Sequence, residues 1–366
     1  MLRHFRPVRT GGGPRASGAG RRSHTFTGIA GAGGPPLAQS VPADTPTGIP
    51  TGIPANRSRR HSRLRMSSFL RHRQTSMRLA IHSLYSYPVK SCAGIAHERV
   101  RVTGSGLDFD RHWVVVDAQG VFMTQRQHPR MVLIHPEPVA DGLWLRAPGQ
   151  ADCFVPQPPE QAEAVPVAIW GTPTLGADQG DEAAAWLSAF IGAPCRLLRL
   201  HPRAHRLASV PHVTRWIQTH PDWPQSFLPV ERHAFAFADG FPFLVANLHS
   251  LEELNGQLGA QGGAPVDMIR FRPNIVLQGL EPYDEDHLAG FRTGGAGFAF
   301  VKACARCPIP NVDPLTGATA AEPGRTLARH RQFEQGVLFG MNAIATLPEG
   351  ETWLQAGDAI EPEYDF

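Results

Sequence analysis

The chain has 366 residues, of which 42% are hydrophobic, and this is enough for two or more domains with buried cores. The net charge of +3 hides a contrast, because thirteen arginines and a single acid give residues 1–76 a charge of +12, whereas residues 77–366 carry −9. Five scattered cysteines exclude the dense disulfide framework of a small secreted protein, and the lack of any run of about 18 apolar residues argues against a membrane span.

Residues 1–76 have a composition that predicts disorder. They are rich in Gly, Pro, Ser and Arg and contain the tandem repeat TGIPTGIP at 47–54, so they cannot bury enough apolar surface to offset the entropy of ordering. An apolar signal core is absent, and the sparse aromatic residues argue against a nucleic-acid partner. We interpret the segment as an upstream extension, with Met66 or Met77 as the true start.

After this segment the sequence mainly predicts strands. The stretch LAIHSLYSYPVKS at 79–91 has short apolar alternation. The stretch RHWVVVDAQGVFMTQRQ at 111–127 predicts a hairpin, since two β-rich runs are joined by Ala-Gln-Gly at 118–120. We therefore expect an antiparallel first domain.

Two helices are predicted in the middle of the chain. The first covers 180–192, where acids occupy the first turn and Gly192 follows the last. The second begins at Ser250, which is three residues before Glu253 and so could form a capping box with it. The polar stretch 201–232 between them is expected to form loops and a short helix.

The last third returns to strand patterns. Short apolar or alternating runs predict strands in NIVLQG at 274–279, in GFAFVKACA at 297–305 and in WLQAGDAIEPE at 353–363. The sequence as a whole predicts an α+β protein in which β-structure predominates.

The stretch CARCPIPNVDP at 304–314 holds the most informative cysteines. A structural zinc site would need a second CxxC or a histidine pair, and a thioredoxin-like pair would begin a helix, which Pro308 and Pro310 disfavour. Two interpretations remain for Cys304 and Cys307. Each is either a packed small hydrophobe or a thiolate kept charged by Arg306, and a soft thiolate suits a soft or high-valent metal.

Five segments, taken in order, resemble the MOSC-domain proteins that bind molybdenum cofactor, and in particular the amidoxime-reducing components and their bacterial relatives. They are YPVKSCAGI (87–95), DRHW (110–113), TQRQHPRMVLI (124–134), RFRPNIV (270–276) and ACARCPIPNVDPLTG (303–317). The resemblance implies a MOSC N-terminal domain like a β-barrel over residues 77–195, followed by a MOSC β-barrel domain over residues 196–366.

The resemblance also implies a cofactor site. Cys307 matches the molybdenum ligand and is the expected catalytic residue, whereas Cys304 matches a position that is not a ligand. The implied contacts with molybdopterin are Lys90, Ser91, Arg111, Asp239, Arg272, Asn274, Arg306 and Cys307 itself. The residue types suit a pterin phosphate, because Arg binds anions bidentately, Lys binds them as a point charge, and Ser and Asn add neutral hydrogen bonds. Ala305 and Asn342 depart from the Ser and Tyr of the relatives.

The function implied is that of a molybdenum cofactor-dependent oxidoreductase that reduces small N-hydroxylated compounds such as amidoximes, hydroxylamines and N-hydroxylated base analogues. No cysteine follows Cys307, so no intrinsic iron–sulfur cluster is expected, and a separate flavin or iron–sulfur reductase would supply electrons. The alternative is a non-catalytic carrier of cofactor or sulfur, related to the C-terminal domain of molybdenum cofactor sulfurase. Nothing resembles a pyridoxal-phosphate fold, so that cofactor is not expected. The expected location is cytoplasmic.

Overall fold

Strands form most of the regular structure, as the patterns after residue 76 predict, so the expectation of an α+β, predominantly β protein is confirmed. The computed structural model describes residues 78–223 and 227–365. The predictions of disorder and of a later start concern residues 1–76 and lie outside the described residues.

Eleven strands and one helix occupy the first part of the described chain. The strands are β1 (Ala80–Ser86), β2 (Ile95–His97), β3 (Arg99–Thr103), β4 (Gly106–Leu107), β5 (Trp113–Val116), β6 (His135–Val139), β7 (Gly142–Arg146), β8 (Cys153–Pro156), β9 (Ala164–Ile169), β10 (Thr172–Asp178) and β11 (Arg196–Leu200). Helix α1 (Gly180–Ile191) lies between β10 and β11, and a 3-10 helix covers Pro129–Leu133.

The second part contains three helices and eight further strands among the described residues. The helices are α2 (Val210–Thr219), α3 (Leu248–Ala260) and α4 (Gly324–His330), with 3-10 helices at Val230–Arg232, Met268–Phe271, Asp284–His287 and Ile309–Asn311. The strands are β12 (Phe243–Asn247), β13 (Ile275–Gln278), β14 (Leu288–Thr293), β15 (Ala296–Ala305), β16 (Gln332–Phe333), β17 (Gly336–Thr346), β18 (Thr352–Gln355) and β19 (Glu361–Tyr364). No helix within 78–223 or 227–365 is long and apolar enough to cross a membrane.

The largest sheet combines strands from both ends of the described chain. Its order is β19-β14-β15-β17-β12-β13-β1-β2, with β16 paired to β17, and it is an open path of strands in the described residues. Strands β12 and β13 are parallel and connected through α3, whereas β1 pairs antiparallel with β13. Because β18 also pairs with β3, the two predicted domains share sheets, and the boundary at residue 195 stays a prediction.

Five apolar clusters of described residues stabilise these sheets, and two of them are the largest. The large sheet buries Phe243, Phe291 and Phe298, each almost fully enclosed. A second core joins the first-part sheets to α1, whose Leu187 and Phe190 pack with Trp113. Burial of a side chain of this size contributes about 1.5–3 kcal/mol, so both cores fix the loops that leave their strands.

The prediction for α1 is confirmed, but the prediction for the start of α3 is wrong. Helix α1 ends at Ile191, and Gly192 follows it as a left-handed cap with φ 81°. Helix α3 begins at Leu248, and the side chain of Asn247 caps it by accepting a hydrogen bond from His249 N. Ser250 is buried inside the helix, where its hydroxyl donates to Glu285 Oε2 at 2.7 Å instead of capping.

The strand predictions hold in part. Strands β1, β13 and β15 occupy the predicted segments, and β5 forms the first arm of the predicted hairpin. The second arm consists of isolated bridges, in which Phe122 pairs with Val116 and Val121 pairs with Ala168, whereas β5 pairs along its length with β11. The described residues of 201–232 form α2, a 3-10 helix at Val230–Arg232 and loops, as expected.

Candidate functional site

The eight residues that the resemblance assigns to the site line one cleft. They come from five separate segments: Lys90 and Ser91 follow β1, Arg111 precedes β5, Asp239 precedes β12, Arg272 and Asn274 precede β13, and Arg306 and Cys307 follow β15. The cleft therefore forms between loops that the shared sheets bring together.

Backbone hydrogen bonds hold two of these segments side by side. Arg111 N donates to Tyr87 O at 2.8 Å, and Lys90 N donates to Trp113 O at the same distance. Trp113 N returns a bond to Pro88 O at 3.0 Å. The two loops therefore present Lys90 and Arg111 from a fixed frame.

Backbone strain is concentrated in the cleft. Ser91, Arg111 and Arg272 adopt φ values of 69°, 52° and 56°, in the left-handed region that side chains other than glycine disfavour. Each such residue costs about 1–2 kcal/mol and persists where surrounding contacts fix it. Strain of this kind is typical of binding sites.

Arg111 is held by a nearly complete set of partners. Its Nη1 donates to both carboxylate oxygens of the buried Asp110 at 2.7 Å and to Asn274 Oδ1 at 3.3 Å. Its Nη2 donates to Arg272 O at 3.2 Å, and the guanidinium lies 4.3 Å from the centroid of the Tyr87 ring. Arg111 is thus a rigid cation in the wall of the cleft.

Arg272 is a buried cation with spare donor capacity. Its Nη1 donates to Cys92 O at 2.7 Å and to Gln125 Oε1 at 3.4 Å, whereas its Nη2 is buried with no hydrogen-bond partner among the described residues. Burial, and then the charge of Arg111, lower the pKa of Arg272 to about 10, so it stays protonated at neutral pH. A buried guanidinium with an unmade bond favours an anionic partner.

Lys90 and Asp239 form an ion pair in the cleft. The Nζ of Lys90 donates to Asp239 Oδ1 and to Phe237 O, the latter at 2.9 Å. Burial lowers the pKa of Lys90, and the carboxylate opposes that shift. Burial favours the neutral acid form of Asp239. The pKa of Asp239 is nevertheless held below its usual range by Lys90, the Trp170 indole and Arg111 together.

The segment that carries Cys304 and Cys307 places Arg306 beside Cys304. Arg306 donates from Nη1 to the sulfur of Cys304 at 3.1 Å, and from Nη2 to Phe271 O at 2.8 Å. Residues two apart at an extended strand end lie on one side, so Arg306 faces Cys304 rather than the adjacent Cys307. Both cysteines are free and half-buried.

Asn274 and Ser91 differ in the hydrogen-bonding groups that they leave free for a ligand. The amide of Asn274 is occupied, because Oδ1 accepts from Leu244 N at 3.1 Å as well as from Arg111, and Nδ2 donates to Tyr85 O at 3.2 Å. It therefore positions the cleft wall. The Ser91 hydroxyl has no hydrogen-bond partner among the described residues and can bind a ligand.

Sequence reasoning missed several lining residues. Besides Ala305 and Asn342, which depart from the relatives, and Cys304, which the resemblance excludes as a ligand, the cleft is lined by Thr124, Arg126, Gly240, Leu244, Phe271 and Ile309. The signal for Thr124 and Arg126 was present, since both lie in the motif TQRQHPRMVLI, but no role was assigned to either.

The cleft carries an excess of positive charge. Five cations line it, against the single carboxylate of Asp239. Arg272 Nη2 and Arg306 Nε are both buried without a partner in the described part of the chain. Within that part, no three His, Cys, Asp or Glu side chains cluster to hold a metal ion. The residues therefore fit an anionic group that brings most of its own metal ligands and takes one thiolate from the protein, as molybdenum cofactor does.

Two family models match the chain. Residues 78–194 match the MOSC N-terminal beta barrel domain, and residues 232–361 match the MOSC domain. Because these matches cover well over half of the sequence, the chain belongs to the MOSC-domain family, and the resemblance inferred from its motifs is confirmed.

Curated relatives agree with this assignment. The chain is 33% identical to mitochondrial amidoxime-reducing component 1 of Mus musculus over 258 residues, which cover 69% of this chain and 71% of that protein. Against the Homo sapiens protein of the same name, identity is 33% over 278 residues, covering 72% and 76%. Molybdenum cofactor sulfurase of Oryza sativa subsp. japonica is 28% identical over 302 residues, which are 77% of this chain but 35% of the sulfurase.

Proposed function

We propose that the protein is a molybdenum cofactor-dependent reductase of small N-hydroxylated compounds such as amidoximes, hydroxylamines and N-hydroxylated base analogues. The observation that carries the proposal is a cleft with five cations, two unpartnered buried guanidinium N–H groups and a half-buried thiol at Cys307. The printed names of the relatives at 33% identity, amidoxime-reducing components, supply the substrate class.

In this proposal the cations hold the phosphate of molybdopterin. Arg272 and Arg306 offer free donors, Ser91 adds its hydroxyl, and Arg111 contributes a fixed charge. Asp110 and Asn274 keep Arg111 in place from behind. Asp239 accepts hydrogen bonds, so it suits the N–H groups of a pterin ring better than its phosphate.

Cys307 gives one thiolate to the metal in this proposal. When bound, the cofactor supplies two-electron chemistry, through which an amidoxime, two electrons and two protons give an amidine and water. The chain binds the cofactor and orients the substrate beside it. A separate flavin or iron–sulfur reductase delivers the electrons, and a cytoplasmic location is part of the same proposal.

The test is benzamidoxime reduction by the cofactor-loaded protein with a supplied reductase, measured together with molybdenum and pterin content. We expect Cys307→Ala to lose nearly all activity and much of its metal. The matched control is Cys304→Ala, because Cys304 lines the same cleft and contacts Arg306 without acting as a ligand in this proposal. An active Cys307→Ala protein would contradict the proposal.

A carrier of cofactor or sulfur is the second candidate. The match to molybdenum cofactor sulfurase of rice over 77% of this chain favours it. A carrier would bind cofactor and transfer it or its sulfur to an acceptor, yet would show no turnover of amidoximes with any reductase. Near-stoichiometric cofactor without activity would select this candidate, and the cleft would then serve storage.

A further inference from the structure

The hairpin between β9 and β10 places a tryptophan where the backbone disfavours it. Ile169 pairs with Thr172, so Trp170 and Gly171 form a two-residue turn in which both φ values are positive, at 51° and 78°. Asn-Gly is the preferred pair in such a turn, because a larger side chain strains the left-handed backbone. A tryptophan at this position therefore points to a role other than forming the turn.

Three contacts hold the Trp170 indole beside the cleft. Its Nε1 donates to Asp239 Oδ1 at 2.9 Å, and the Arg126 guanidinium lies 4.5 Å from its ring centroid. Phe122 meets it edge-on with the centroids 5.1 Å apart. Asp239 and Arg126 both line the cleft, so the indole stands at the cleft rim, and 52% of the residue remains exposed.

Arg126 has donors to spare at the same rim. It forms no ion pair with a carboxylate among residues 78–223 and 227–365, and its hydrogen bond to Thr124 Oγ1 is long, at 3.5 Å. Its stacking on Trp170 fixes the plane of the guanidinium and leaves N–H groups for a ligand. The rim thus combines an exposed flat apolar surface with a positioned donor.

We propose that Trp170 and Arg126 select flat, conjugated N-hydroxylated substrates over aliphatic ones. The indole face that Arg126 leaves free stacks on the ring of an aryl amidoxime or N-hydroxylated base, while Arg126 holds the indole in place from its opposite face. Stacking of this kind needs a π face but no particular arrangement of polar atoms. It therefore stabilises the binding of many aromatic rings but does not stabilise the binding of an aliphatic chain. This inference rests on the proposed reductase function.

The variant Trp170→Asn separates binding from folding, because Asn-Gly keeps the turn while the ring is removed. We expect the KM for benzamidoxime to rise about three- to tenfold with kcat nearly unchanged, and the KM for acetamidoxime to stay the same. Molybdenum and pterin content should not change, and the midpoint of thermal unfolding should move by no more than about 4 °C.

Two further variants sharpen the test. Trp170→Phe keeps a ring but loses the bond to Asp239, so it should retain most of the preference for benzamidoxime. The matched control is Trp353→Ala, because Trp353 is also exposed and stacked with an arginine, Arg99 at 4.4 Å, but does not line the cleft. Neither KM should change in that variant.

Several outcomes would overturn the inference. Loss of pterin in Trp170→Asn would assign the indole to the cofactor, and a raised KM for the reductase with an unchanged KM for benzamidoxime would assign it to partner docking. If the wild-type protein turns over no amidoxime, the proposed function fails on its own. Saturation-transfer NMR of benzamidoxime binding in the absence of reductase then tests whether Trp170 binds the substrate. Binding that is at least about threefold weaker in Trp170→Asn supports the inference, and equal binding refutes it.

Discussion

The guanidinium of Arg111 lies 2.7 Å from both carboxylate oxygens of Asp110, and this pair joins the wall of the cleft to the core behind it. The side chains are 12% and 1% exposed, so the pair is shielded from water. Asp110 also accepts a hydrogen bond from Tyr87 N at 2.9 Å. One carboxylate therefore fixes both the cation and the loop that carries Lys90.

Replacing Asp110 by Asn should destabilise the protein by about 3 kcal/mol, because removal of one partner leaves a buried charge uncompensated. Urea unfolding of the apo protein measures the effect. The control is Asp108→Asn, because the pair of Asp108 with Arg101 is partly exposed to solvent, and its loss should lower the free energy of unfolding much less than loss of the buried pair. An equal loss of unfolding free energy in the two variants would contradict the importance of the buried pair.

Replacing Arg272 by Lys should weaken cofactor retention about tenfold. Lysine keeps the charge but lacks the planar guanidinium of arginine. In Arg272, one terminal nitrogen donates to the carbonyl of Cys92, and the other has no partner among the described residues. Pterin fluorescence after acid oxidation reports the content. Arg270→Lys is the control, since Arg270 pairs with Asp313 outside the cleft. An unchanged pterin content in Arg272→Lys would exclude its role in binding.

The five cysteines should separate into two reactivity classes. Cys92, Cys153 and Cys195 are buried, and burial raises the pKa of each thiol, to about 12 for Cys92. Thiolates are the reactive form, so iodoacetamide at neutral pH should label Cys304 and Cys307 first. Peptide mapping by mass spectrometry over time measures the order.

Cofactor loading extends that experiment. If Cys307 ligates the metal, loading should slow its labelling more than that of Cys304, which lines the same cleft. Labelling in denaturing urea serves as the control, since all five thiols should then react at similar rates. Faster labelling of Cys195 than of Cys304 in the folded protein would contradict the burial pattern.

Motifs in the sequence were enough to predict which residues meet in the cleft, although local patterns could not show how they meet. Strand periodicity predicted β1, β13 and β15, which carry three of the five lining segments. It could not predict that β1 pairs with β13, because pairing between residues so far apart depends on the whole core. The motif resemblance supplied that long-range information indirectly.

Several features of the structure have physical causes that local sequence hides. Ser250 and Glu253 have capping-box spacing, but Ser250 is buried against Glu285, and the helix begins at Leu248 with Asn247 as its N-cap. Arg306 is adjacent to Cys307 in sequence, yet neighbouring side chains at a strand end point apart, so its contact is with Cys304. The place of Trp170 at the rim depends on a turn that no motif contains.

Glu285 should make stability depend on pH. The carboxyl is fully buried, its Oε2 accepts from Ser250 Oγ at 2.7 Å, and its Oε1 has no partner in the described residues. Burial raises its pKa from 4.5 to about 7. Between pH 4.5 and about 7 the folded protein keeps a proton on Glu285 that the unfolded chain releases. The stabilisation that comes from this carboxyl is therefore complete below pH 4.5 and is lost as the pH rises through about 7.

The loss should amount to roughly 3 kcal/mol, and Glu285→Gln should remove it because the amide is neutral at every pH. In urea unfolding, the variant should match the wild type at about pH 4 and become the more stable protein by about pH 8, with the difference growing between them. Glu281→Gln, which changes an exposed residue in the same region, should show no such trend. A difference between Glu285→Gln and wild type that stays constant across this range would mean that Glu285 ionises in the folded protein as it does in water.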